Sequence, residues 1–179
     1  VTVSDGNTPS CRATATATVV VNPLLVAPVL TSTSYCLGAT AAELNATTAG
    51  AVSYAWSNGA TTAMITPLTA LAGVTTYTVT VTGVGGCSTT ATATVGVNTN
   101  PTVSVANVTV CEGNAINLTA TATGTGTLSY AWAEPATGGT LTITNNVSTI
   151  ASAVPGDAGT YTVTVSDGNT PSCRATATA

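Results

Sequence analysis

The 179-residue sequence contains no lysine, no histidine and no phenylalanine, and its only basic residues are Arg12 and Arg174. Two cations against six acids give a net charge of −4. No phosphate-neutralising surface can be built from that set, so nucleic acid is excluded as a partner, and anionic membranes are excluded on the same ground. General acid–base chemistry draws on histidine, lysine or paired carboxylates. The first two are missing, and Asp5, Glu43, Glu112, Glu134, Asp157 and Asp167 are scattered among turns and strand ends. The chain therefore reads as a non-enzyme. No CxxC pair and no histidine is present to hold zinc, and the acids form no cluster of the kind calcium needs, so no cofactor or metal is expected. Without lysine, no Lys–Asn isopeptide bond can form. No apolar run is long enough to cross a membrane: the stretch from Val19 to Leu30 is broken by Asn22, Pro23 and Pro28 and reads as a linker with the start of a strand.

Threonine takes the polar role instead. There are 42, mostly alternating with Val or Ala, as in Thr78-Val79-Thr80-Val81-Thr82. A β-branched residue with a hydroxyl fits a pleated surface facing water. Period-two alternation, with runs ending at Gly, Asn, Asp or Pro, predicts an all-β chain with no helix. Strands are expected near 102–109, 115–123, 127–133, 139–143, 146–152, 159–167 and 173–179, with a similar set, one fewer in the middle, before them. Six or seven short strands in about 80 residues indicate an antiparallel sandwich.

Residues 1–17, VTVSDGNTPSCRATATA, recur unchanged as residues 163–179. A parent array with a 162-residue period accounts for this, and it makes the chain an internal fragment. A weaker repeat lies inside it. Tyr35-Cys36-Leu37-Gly38 matches Val110-Cys111-Glu112-Gly113, Tyr54-Ala55-Trp56 matches Tyr130-Ala131-Trp132, Tyr77 matches Tyr161, and Cys87 matches Cys173. Two insertions, Pro135 to Gly139 and the turn Asp167–Pro171, distinguish the second unit. The boundaries predicted are 1–22 for the last strands of a preceding unit, 23–98 for one domain and 99–179 for a second with its last strand cut short. Pro23 and Pro101 stiffen the joints.

Trp56 and Trp132, about twenty residues after a cysteine, and the run Asp157-Ala158-Gly159-Thr160-Tyr161 resemble the immunoglobulin superfamily. That resemblance implies tandem immunoglobulin-like sandwiches, with Trp56, Trp132, Tyr77 and Tyr161 in the cores and Asp157 at a tyrosine corner. The chain departs from the family in having Val163 where the inter-sheet cysteine would stand, and the first unit has no Asp at its corner. The wording YAWSNGATT, TYTVTV, a turn, then C and ATATV is similar to the Ig-like and PKD-like repeats of giant cell-surface adhesins of Bacteroidota. The similarity implies an exported, extracellular protein.

The five cysteines, Cys11, Cys36, Cys87, Cys111 and Cys173, suggest a disulfide within each unit, Cys36–Cys87 and Cys111–Cys173, with Cys11 bonded to the Cys111 equivalent of a preceding copy. Asp5-Gly6 and Asp167-Gly168 are expected to be hairpin turns in which glycine supplies positive φ. The functional expectation is a structural repeat of an extracellular filament, stalk or adhesin fibre that partners itself head to tail. The alternatives are a module binding surface glycans, or spacer domains of a secreted polysaccharide-degrading enzyme. Tyr54, Trp56, Tyr130 and Trp132 could form a sugar platform, but the i, i+2 spacing on one face favours the core.

Overall fold

The computed structural model describes residues 1–135 and 141–179. It is all-β apart from two short 3₁₀ turns, Val84–Gly86 and Pro155–Asp157.

A hairpin of β1 (Thr2–Ser4) and β2 (Arg12–Thr14) comes first and is exposed throughout. The first sandwich follows, with β3 (Thr33–Cys36), β4 (Leu44–Asn45), β5 (Ala51–Trp56), β6 (Met64–Ile65), β7 (Gly73–Gly83) and β8 (Ser88–Asn98). One sheet runs β3-β8-β7-β5 and the other is the pair β4-β6. The second sandwich holds β9 (Thr102–Val105), β10 (Ile116–Thr123), β11 (Ser129–Ala133), β12 (Thr142–Thr144), β13 (Val147–Ile150), β14 (Thr162–Ser166) and β15 (Arg174–Thr178). Its sheets run β12-β13-β10-β9 and β11-β14-β15.

The Val/Thr alternation sets which face is buried. In β7, Tyr77, Val79 and Val81 point inward and the intervening threonines outward; in β14, Val163 and Val165 are fully buried between Thr162, Thr164 and Ser166. Each sandwich closes on its own core. Trp56 packs with Leu44, Ile65 and Val79 in the first, and Trp132 with Leu118, Ile150 and Val163 in the second. At about 25 cal/mol per Å² of apolar surface, such side chains are the main favourable contribution in units this small.

The expected strand over 102–109 ends at Val105, since among the described residues no strand pairs with 106–111. The strand expected near 139–143 is observed as Thr142–Thr144, and residues 136–140, with most of the Pro135–Gly139 insertion, lie outside the described residues.

The hairpin β1–β2 has the register of β14–β15: Val3 faces Ala13 as Val165 faces Ala175, and Ser4 faces Arg12 as Ser166 faces Arg174. Val3 is 62% exposed whereas Val165 is fully buried. The repeated sequence therefore adopts one local structure with or without a core beneath it.

Candidate functional site

The turn inside this repeated segment is organised by an aspartate. The Asp167 carboxylate accepts hydrogen bonds from the N–H groups of Cys173 (2.8 Å) and Asn169 (3.2 Å) and from the Asn169 amide (2.7 Å), while the Ser172 hydroxyl donates to Asp167 O at 2.8 Å. Asp5 holds Cys11, Asn7 and Ser10 in the same way. Burial pushes the Asp167 carboxyl up, but the donors from Cys173, Asn169 and Thr125 outweigh it and hold it below the usual carboxylate range. The Cys11 N–H, with smaller help from Asn7, lowers Asp5 likewise.

Positive φ is not what glycine provides here. Neither Gly6 nor Gly168 adopts it, in contrast to the expectation for an Asp-Gly turn. The loop is wider than a two-residue hairpin and closes through the carboxylate. Gly168 is needed for close approach instead, since a Cβ there would stand 3.0 Å from the backbone nitrogen of Thr127.

This turn presents Cys173 to the first sandwich. Cys36 and Cys173 form a disulfide, with an S–S distance of 2.04 Å and Cα atoms 5.5 Å apart. Cys11, Cys87 and Cys111 are free thiols. The expected bonds within each unit, Cys36–Cys87 and Cys111–Cys173, are thus replaced by one bond between units. The reason lies in the pairing of β3. It runs parallel to β8, placing Cys36 beside Asn98, whereas Cys87 precedes the opposite end of that strand. Eleven residues at about 3.3 Å each separate them by roughly 35 Å, while disulfide Cα atoms lie within about 7 Å of each other. Cys111 and Cys173 are likewise at opposite ends of the second sandwich.

Three further contacts surround the bond. The Asn98 amide donates to Thr170 O (3.5 Å), the Asn100 amide donates to Leu37 O (3.1 Å), and the Leu37 N–H donates to Asn98 O (2.8 Å). A shallow groove between Ser32–Ser34, Thr94, Gly96 and the Thr170-Pro171 segment runs alongside. Nothing in the sequence marks these partners except that both units end in Asn, at Asn22 and Asn98.

The far end of the second sandwich is open. A cavity of about 540 Å³ lies against Asn107–Val110, Ile116, Pro155 and Ala179. Val108 and Val110 are 45% and 39% exposed there. Behind it the Tyr161 hydroxyl donates to Asp157 O (2.8 Å), and the Asp157 carboxylate accepts from the Val154 N–H (2.8 Å). Burial raises the Tyr161 phenol above its ordinary pKa, and the negative charges of Asp157 and Glu134 add to the shift. In the first sandwich the corresponding Tyr77 hydroxyl instead accepts from the Leu68 N–H at 3.2 Å.

Trp56 and Trp132 are buried, and Tyr54 and Tyr130 pack half-buried against the same cores, so the four rings form no exposed platform. Glu112 lines the same cavity as Asp157, and Glu134 stands near enough to Tyr161 to act on it alongside Asp157, but among the described residues no group of three or more His, Cys, Asp or Glu side chains, Glu43 included, could hold a metal ion. No helix among them is long and apolar enough to cross a membrane.

No protein-family profile and no curated protein matches the chain. Solved structures do. The N-terminal eight Ig domains of Down Syndrome Cell Adhesion Molecule, isoform 1.30.30, align over 87% of this chain at 17% identity with a TM-score of 0.61. The I67–I69 fragment of the titin I-band aligns over 89% at 15% identity and a TM-score of 0.49, and the ectodomain of mouse nectin-like molecule 4 over 58% at 19% and 0.39. The chain spans 27% of the first of these structures, 65% of the second and 38% of the third. The parallel first strand, the two-sheet cores and the likeness to the eight-domain structure together establish the fold as an immunoglobulin-like β-sandwich.

Proposed function

We propose that the chain is the structural repeat of an extracellular filament, stalk or adhesin fibre, with sandwiches 23–98 and 99–179 set end to end and residues 1–22 supplying the last strands of a preceding unit. The observation that carries this reading is the Cys36–Cys173 bond, which ties one sandwich to the next rather than stapling either internally. A covalent joint serves a protein whose task is to hold length and direction. The disulfide also fits an oxidising, extracellular setting, and the threonine-covered surface keeps a nearly uncharged chain hydrated. The similarity to Bacteroidota surface adhesins points the same way. The partner is a further copy of the same unit, and the role requires no catalysis.

Small-angle scattering of the oxidised protein tests the reading. Two sandwiches in line give a rod of roughly 70–80 Å, from strands of about 3.3 Å per residue. A compact particle with the sandwiches folded side by side would refute it.

A further inference from the structure

Three thiols are left over, and two of them stand in the same local frames as the two that are bonded. Cys111 precedes a turn in which the Asn114 N–H donates to Cys111 O, and Gly113 has φ +86°; Cys36 precedes the matching turn, with Ala39 N–H on Cys36 O and Gly38 at φ +78°. Cys87 opens β8 with its carbonyl accepting from Gly83 N–H, as Cys173 opens β15 with its carbonyl accepting from Asp167 N–H. Cys111 is exposed at the trailing end of the second sandwich. Cys87 is half-buried at the leading end of the first.

Both halves of the missing joint are preformed. On the leading side, Asn22 packs on the turn beside Cys87. A Cβ at Gly85, which has φ +76°, would overlap the Asn22 side-chain amide. Asn98 reaches the turn before Cys173 in the same manner, through Thr170. On the trailing side, the open cavity flanks Val108 and Val110, the residues matching Thr33 and Tyr35 of β3. In the first sandwich that place is filled by Val95–Asn98, paired in parallel with Thr33–Cys36. The repeat puts Val19-Val20-Val21-Asn22 at the corresponding position after Ala179. These three valines are 74–87% exposed in the single copy.

We propose that in tandem copies Val19–Asn22 of the following copy lies in parallel beside Val108–Cys111, and that Cys111 then bonds Cys87 of that following copy. This rests on the end-to-end reading above. Every joint would carry one disulfide: Cys36–Cys173 inside a copy and Cys111–Cys87 between copies, with Cys11 taking the place of Cys173 in its own preceding copy. The bond forms by two exchanges with an oxidised low-molecular-weight disulfide. One cysteine thiolate attacks the carrier's S–S bond and releases one carrier thiol. The second thiolate attacks the mixed disulfide and releases the other, so one S–S bond breaks, one forms, and the carrier leaves as two thiols with the two protons.

The test is a chain in which residues 18–179 follow Ala179 of a complete first copy, with Cys87→Ser in the first copy and Cys111→Ser in the second, so that one Cys111 and one Cys87 remain. After equilibration with glutathione disulfide, alkylation and non-reducing peptide mapping of the monomer should show Cys111 joined to Cys87 in most molecules. Adding Cys111→Ser in the first copy should remove that cross-linked peptide and leave Cys87 alkylated. Alkylation of both thiols, with scattering still showing one extended rod, would overturn the wiring and leave the end-to-end reading standing. Alkylation of both with the two copies tumbling independently would overturn both. Cys87 joined to Cys36 would overturn the wiring directly.

Discussion

Replacing Cys36 by Ser should destabilise both sandwiches, although only one of them loses a cysteine to the change. When the second sandwich unfolds while the first stays folded, the bond closes the stretch from Asn98 to Cys173 into a loop. When the first unfolds alone, the loop runs from Cys36 to Asn98. In the chain-entropy relation, loops of about 60–75 residues correspond to roughly 4 kcal/mol each. At about 4–8 °C per kcal/mol for a domain of this size, each calorimetric transition should fall by about 15 °C or more. Cys87→Ser removes a thiol that has no bond in a single copy and should shift neither transition beyond about 0.5 kcal/mol. Scanning calorimetry of both variants without reductant decides the matter. A first transition lowered equally by Cys36→Ser and Cys87→Ser, with the second transition unmoved in both, would refute the argument and restore a bond within the first sandwich.

Tyr161→Phe removes the buried hydrogen bond to Asp157 O, so the second sandwich should lose about 0.5–1.5 kcal/mol in denaturant titration; an unchanged midpoint would show the corner to be dispensable. Leu118→Ala, at a site 2% exposed, should lower the same sandwich by about 2–5 kcal/mol and leave the first transition in place; loss in both would mean that they unfold as one unit. The Asp167 carboxyl is held below its unfolded value, so its stabilisation is complete above about pH 3.9 and is lost as pH falls through the lower folded value. The stability gap between wild type and Asp167→Asn should therefore be widest at pH 5–7 and close in strong acid, and a gap independent of pH would show the carboxylate charge to be irrelevant.

Much of the fold could be read from the chain because Val/Thr alternation encodes a strand face directly, and the strands through Tyr77 and Tyr161 follow from it. The core tryptophans were legible by spacing. The disulfide was not. Matched positions say that Cys36 and Cys111 are equivalent, and that Cys87 and Cys173 are, but not which end of a sheet each occupies. That depends on β3 running parallel to β8, a pairing between residues some sixty positions apart that leaves no local signature. The same is true of the Asp167 turn. Its sequence resembles a tight Asp-Gly hairpin, and only the carboxylate's reach to Cys173 shows it to be a wider loop.

The bond between Cys36 and Cys173 also fixes how tension would pass through the molecule. The two cysteines are 137 positions apart, and nearly all of both sandwiches lies between them. A pull applied before Cys36 and after Cys173 travels through the sulfur atoms and bypasses everything enclosed. Unfolding the enclosed strands cannot then lengthen the strand of load-bearing chain. Reduction would release a hidden length of about 450 Å, at roughly 3.3 Å per extended residue. The oxidised unit is thus an inextensible link, and its compliance is set by the redox state of one covalent bond rather than by the strength of either fold.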